Sequence, residues 1–205
     1  DEFIPVAGGY RLFRQVADTL SRRGIAVLRL DDRGVGGSEG NVNGTSADFA
    51  DDIRAAVAYL RTRADIDPAR IALVGHSEGG MIAPMVALTD ARLAAIVLMA
   101  GPAYDGRQII NYQVANGVRG TPSIREAARD SATKAALAEF DSTTAKAPWM
   151  RFFLSYEPLP TARKVKQPVL ILQGATDQQI RAEEAAMLEK ALRAGGNKSV
   201  TSRVF

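Results

Sequence analysis

Ile71-Ala72-Leu73-Val74-Gly75-His76-Ser77-Glu78-Gly79-Gly80-Met81 is the stretch on which the fold turns. Ile71–Val74 is an unbroken apolar run of the kind that suits a buried strand, and helical periodicity begins near Met81. A serine on so sharp a strand-to-helix turn takes a strained conformation with its hydroxyl exposed. Small flanking residues are needed there, because strand and helix backbones come close. The spacing Gly75, Ser77, Gly79 meets that requirement. At the start of the helix the amide of Glu78 points at the oxygen that becomes negative when Ser77 attacks a carbonyl. The plain alternative is a glycine-rich turn with an incidental serine.

Two phosphate-binding readings compete at glycine-rich turns, and both fail on detail. A loop of the Gly-x-x-x-x-Gly-Lys type running from Gly75 to Gly80 needs Lys where Met81 stands. Gly34 and Gly36 follow an apolar run, but a dinucleotide fingerprint needs Gly or Ala where Glu39 stands.

Outward from the turn, further short apolar runs occur at Ile25–Leu30, Ala94–Met99, Val169–Leu172 and Ser199–Phe205. All but the last are nearly continuous, which predicts strands buried on both faces of a parallel sheet. Helical stripes lie between them. Phe13, Val16, Ala17 and Leu20 form one, ended by Gly24. Phe49, Ile53, Ala56, Val57 and Leu60 form another, with Thr45 and Asp48 as a capping box, Asp51 and Asp52 near its positive end, and Arg61 and Arg63 near its negative end. A third runs from about Glu183 to Ala194 and stops at Gly195-Gly196. This alternation predicts an α/β fold with a doubly wound, mostly parallel sheet.

From Pro102 to Gln167 no strand signal appears, over a distance several times an ordinary connection. Ser123 with Glu126 is expected to open a helix reaching about Phe140, and Trp149, Phe152, Phe153 and Tyr156 follow within Ala147–Pro158. The expected organisation is therefore a core from residues 1–101 and 168–205, with a helical cap or lid at 102–167.

The 205 residues are 46% hydrophobic and 24% charged, with 26 Lys+Arg against 23 Asp+Glu. That suits one domain with an insertion, at roughly 150 residues per domain. The net charge of +3 is small and its signs are interspersed, with no basic run carrying interleaved aromatics, so a nucleic-acid partner is disfavoured. The absence of cysteine excludes disulfides, a thiolate nucleophile and Cys-ligated metal, and leaves the compartment open. The longest apolar stretch, Ala94–Ala100, is far shorter than the roughly 20 residues that span a bilayer. A single histidine rules out His-rich metal sites, so no metal or cofactor is implied.

Three stretches, taken in order, resemble the α/β-hydrolase fold, and more narrowly bacterial esterases and serine-aminopeptidase-type members. Asp31-Asp32-Arg33-Gly34-Val35-Gly36-Gly37-Ser38 resembles the loop after the strand that precedes the elbow strand. Gly75–Gly80 resembles the nucleophile elbow. Pro168-Val169-Leu170-Ile171-Leu172-Gln173-Gly174-Ala175-Thr176-Asp177 resembles the late strand whose following loop holds the catalytic acid. The resemblance implies a nucleophilic Ser77, an oxyanion donor in the Glu78 amide, and an acid in Asp177. Asp105 is the runner-up acid, and a turn role satisfying local amides is the plain alternative for Asp177. The Asp31–Ser38 loop is expected to be structural.

His76 is the only imidazole, and a side chain immediately before the nucleophile projects away from it, so His76 is expected to be a packed scaffold residue. In the family the base lies just after the last strand and the first oxyanion loop precedes the opening helix. Here those positions fall beyond Phe205, by about a dozen residues if loops are ordinary, and before Asp1. The expectation is a hydrolase core trimmed at both ends. The cap is short for this branch, which leaves room for residues missing within it.

The resemblance implies a serine hydrolase that cleaves small or medium carboxylic esters through an acyl-enzyme. Its partner is a small-molecule ester, with no membrane span, and the sequence leaves the oligomeric state open. Trp149, Phe152, Phe153 and Tyr156 are either the substrate pocket or the cap's own core. Two rival readings stand. An aminopeptidase or amidase is favoured if Glu139, Asp141 or Glu157 faces Ser77, and a non-catalytic binding module is favoured if no histidine follows residue 205.

Overall fold

The structure is a computed structural model that describes residues 11–205, in two units divided between Val42 and Asn43. Residues 1–10, the start of the expected core segment, lie outside the described residues.

The first unit carries helix α1 (Leu12–Ser21). Gly24, at φ +78°, ends it, and the amide of Ile25 returns to the carbonyl of Leu20 at 3.1 Å. In the loop that follows, Gly34 (φ +73°) and Gly36 (φ +58°) take the left-handed conformation. The amide of Gly37 and the hydroxyl of Ser38 bond back to Asp31 at 3.0 and 2.8 Å. The expected strand at Ile25–Leu30 is not present: the segment has no strand hydrogen bonding, and Ile25 and Leu30 are 52% and 46% exposed. An apolar run becomes a strand only beside another, and the described residues of its unit hold no second strand.

In the second unit, α2 (Ser46–Thr62) begins with the expected capping box. The amide of Asp48 donates to the Thr45 hydroxyl, and the Asp48 carboxylate accepts from the amide of Thr45 at 2.7 Å. Strands β1 (Ala72–His76), β2 (Ala95–Met99), β3 (Val169–Gln173) and β4 (Val200–Val204) form a parallel sheet in the order β1-β2-β3-β4. Leu73 pairs with Ile96, Ile96 with Val169, and Val169 with Val200. That register gathers Leu73, Ile96, Leu98, Val169, Ile171 and Val200 on one face, against α3 (Glu78–Ala87) and α8 (Glu183–Ala194).

The opposite face departs from the expectation of strands buried on both sides. Its residues are only partly buried among the described residues, and Val74 is 50% exposed. The crossover helices α3 and α8 both pack on the first face, so burial alternates along these strands.

Between β2 and β3 the described residues hold no strand. The helices there are α4 (Gly106–Arg119), α5 (Arg129–Ser142), α6 (Pro148–Ser155) and α7 (Pro158–Ala162). The helix expected to open at Ser123 begins instead as a short turn at Glu126–Ala128, without a side-chain cap. Helix α7 lies beside α3 and α8, and Ala162 and Val165 join the main core. No described helix is long and apolar enough to cross a membrane.

Candidate active site

The turn between β1 and α3 carries the strain that its sequence implies. Ser77 sits at φ 52°, ψ −116°, a conformation that costs a non-glycine residue about 1–3 kcal/mol. The surroundings hold it there: the Ser77 amide donates to the carbonyl of Met99 at 2.9 Å, and the Gly80 amide donates to the carbonyl of Ser77 at 2.8 Å. A Cβ on Gly75 would overlap the carbonyl of Gly79, and one on Gly80 would stand 2.7 Å from the Cα of Gly101. Beyond β2, Ala100 also takes a positive φ, 47°, just before Gly101 meets the elbow. A Cβ on Gly79 would meet nothing within 4 Å. The crowding therefore falls on Gly75 and Gly80 and not, as expected, on Gly79.

Glu78 is the first residue of α3, where helix amides have no intrahelical carbonyl to bond and the dipole favours negative charge. Its carboxylate Oε1 accepts from the hydroxyl of Ser46 at 2.6 Å and from the indole Nε1 of Trp149 at 2.7 Å.

Asp177 follows β3 at the same end of the sheet as Ser77, with β2 between the two strands. Its Oδ1 accepts the amides of Gln179 at 2.7 Å and Ile180 at 3.0 Å, and its Oδ2 accepts from Nε2 of Gln173 at 3.2 Å. Helix α4 grips the same turn. Tyr112 donates to the carbonyl of Asp177 at 3.0 Å, and Asn116 to that of Gln178 at 2.9 Å. Arg181 lies over the rings of Tyr104 and Tyr112, at 4.9 and 4.5 Å. Asp105, the alternative acid, is occupied in capping α4, where it accepts the amide of Gln108 at 2.8 Å.

His76 ends β1 in register with Met99, on the face opposite Leu98 and Ile171. Burial pushes its pKa below the ordinary imidazole value, and the charge of Asp177 partly opposes that shift. Its ring therefore favours the neutral form.

The aromatic cluster divides along α6. Trp149 stacks on Phe153 at 6.0 Å and reaches the elbow through Glu78, whereas Phe152 stacks on Tyr156 at 5.7 Å. Tyr156 is part-buried, its hydroxyl bonds Thr161 at 2.6 Å, and burial raises its pKa. Glu139, Asp141 and Glu157 are exposed, and Asp141 pairs with Arg107 at 2.7 Å.

Three residues that sequence reasoning missed complete the site. Gln173 is 2% exposed and points its amide at Asp177. Ser46 is fully buried beneath Glu78. Buried Glu184 accepts the amides of Ala103, Tyr104 and Arg181 at 2.8, 3.1 and 3.0 Å, tying α8 to the start of the insertion. Glu184 shares a helical face with the apolar Leu188 and Ala191, and a carboxylate at a core position was a legible sign of a buried partner. Gln173 and Ser46 carried no comparable signal.

A family model described as serine aminopeptidase, S33, matches residues 7–204. Esterase EstD of Thermotoga maritima is 25% identical over 209 residues, covering 97% of this chain and 48% of the relative. An uncharacterized protein of Mycobacterium tuberculosis is 36% identical over 96 residues, 47% of this chain and 33% of that protein. The chain thus spans a third to about a half of these curated relatives. Among solved structures, an esterase of Pyrococcus furiosus aligns with a TM-score of 0.68 at 20% identity, over 93% of this chain and 64% of that one, a likeness of fold. With a match along nearly its whole length, a parallel sheet and a strained serine between strand and helix, the chain belongs to the serine aminopeptidase S33 family of α/β-hydrolases.

Proposed function

We propose that the protein is a serine hydrolase that cleaves carboxylic esters of small to medium chain length through an acyl-enzyme. Ser77 attacks the ester carbonyl, the Glu78 amide holds the oxyanion, the alcohol leaves, and water then releases the acid. Asp177, with both carboxylate oxygens committed to hydrogen bonds, orients the base. We assign the base to a residue other than His76, a reading supported by its place at the end of β1 immediately before the nucleophile, on the sheet face away from α3 and α8. The helices of 102–167 form a cap, with Trp149 and Phe153 on its substrate side and Phe152 and Tyr156 in its interior.

The observation that carries this reading is Ser77 at φ 52° on a turn locked by Gly75 and Gly80. A structural turn gains nothing from such strain, whereas a nucleophile gains an exposed hydroxyl beside helix amides. In the full-length protein, Ser77→Ala is expected to lower kcat for p-nitrophenyl butyrate at least about 10³-fold and to abolish labelling by a fluorophosphonate probe. Unchanged hydrolysis would overturn it.

The family description favours a second reading, an aminopeptidase using the same serine. The exposed positions of Glu139 and Glu157 and the pairing of Asp141 with Arg107 lend it no support. A panel of aminoacyl-anilides beside simple esters separates the two.

A further inference from the structure

One oxygen joins three helices at the elbow. Oε1 of Glu78, on α3, accepts from Ser46 at the start of α2 and from Trp149 on α6. Both donors are neutral and Ser46 is fully buried. Hydrogen bonds from neutral donors to a carboxylate are shorter and stronger than neutral pairs, and 2.6 and 2.7 Å lie in that range. Trp149 is held from its other side by the stack on Phe153, whose backbone lies so close to Gly106 that a Cβ there would overlap it. The indole is thus tied to the elbow and, through Phe153, to the first turn of α4.

We propose that the Glu78 carboxylate is a positioning residue: by holding Trp149 and Ser46 on one oxygen it docks α6 on the elbow and fixes the direction of the Glu78 amide. The proposal rests on Ser77 being the nucleophile. An oxyanion donor acts only within a narrow range of distance and direction. Misdirecting the amide weakens the transition state more than the ground state, so the loss falls on kcat and not on KM.

Trp149 is the single tryptophan of these 205 residues, and its emission, taken as the difference between wild type and Trp149→Phe, supplies a readout besides activity. In the full-length protein, Trp149→Phe keeps the ring stack and removes the N–H. It is expected to lower kcat for p-nitrophenyl butyrate about tenfold, with KM changed less than about twofold and the protein still folded at the assay temperature, its melting temperature lower by only about 2–8 °C. Glu78→Leu is expected to lose as much and to shift the Trp149 emission. Glu78→Gln, whose amide oxygen accepts both bonds, recovers most of the rate and the original emission. Trp149→Phe and Glu78→Leu with wild-type kcat, beside an inactive Ser77→Ala, overturn the positioning role and leave the nucleophile standing. A rate loss that Glu78→Gln does not recover, or that follows the loss of folded protein, also overturns it. An active Ser77→Ala overturns the nucleophile first and this inference with it.

Discussion

The turns that follow β1 and β3 leave the same end of one parallel sheet, yet different forces hold them. At the first, backbone meets backbone: Ser77 is strained to φ 52°, and Gly75 and Gly80 leave no room for a side chain. At the second the backbone is unstrained by comparison, and side chains do the holding. Gln173 and two amides fix the Asp177 carboxylate, while Tyr112 and Asn116 of α4 hold the carbonyls of residues 177 and 178. A turn held by excluded volume tolerates almost no substitution at its contact points. One held by hydrogen bonds loses stability in smaller steps, because each bond contributes a net of about 1 kcal/mol.

The contrast is broken most sharply at the glycines. Gly75→Ala is expected to cost about 3 kcal/mol or more in urea unfolding, because the new methyl overlaps the start of α3. Gly79→Ala, one turn away and with nothing within 4 Å of the added methyl, is expected to be neutral or to stabilise by up to about 1 kcal/mol. Equal costs at the two positions would remove the steric account of the elbow.

An intermediate effect is expected at the acid turn. Gln173→Leu removes the donor to Asp177 Oδ2 and to the carbonyl of Ile180, and leaves a buried carbonyl unsatisfied, at about 1–3 kcal/mol. Tyr112→Phe, which removes one bond to the carbonyl of Asp177, is expected to cost about 1 kcal/mol, and both are checked by urea unfolding. A Gln173→Leu cost as large as that of Gly75→Ala would make the two turns alike.

The smallest effect is a pH dependence. The pKa of His76 is depressed in the folded state by burial, so its contribution to stability is present above the unfolded value and is lost as pH falls through the folded value. Unfolding midpoints measured downward from about pH 6.5 are expected to drop more steeply in wild type than in His76→Asn. Parallel curves would show that the histidine does not couple to folding.

The elbow was legible because its chemistry is local. Gly75, Ser77 and the apolar run before them are close neighbours, and the steric demand of a strand-to-helix turn acts over that same distance. Even there, the assignment of the second tight glycine to Gly79 was wrong: Gly80 faces Gly101, a residue contributed by the end of another strand. The capping box at Thr45 and Asp48 and the extent of α8 were equally local and were found where expected. The strand assigned to Ile25–Leu30 failed because composition records how apolar a segment is and not whether a neighbour is present to receive its hydrogen bonds. Gln173 and Ser46, and the indole bond to Glu78, join positions as far apart as 71 residues and left no trace in the spacing.

The amino-acid order alone determined the alternation of strand and helix, the strained serine turn and the sequence of motifs that marks the family. Those features depend on backbone sterics and on burial patterns repeated every two or 3.6 residues. The tertiary structure alone decided which sheet face the connecting helices cover, which glycine is indispensable, and what the carboxylates of Glu78, Asp177 and Glu184 hold. Each of these depends on groups from separate elements meeting at hydrogen-bond or van der Waals distance, a relation that exists only after the chain has closed on itself.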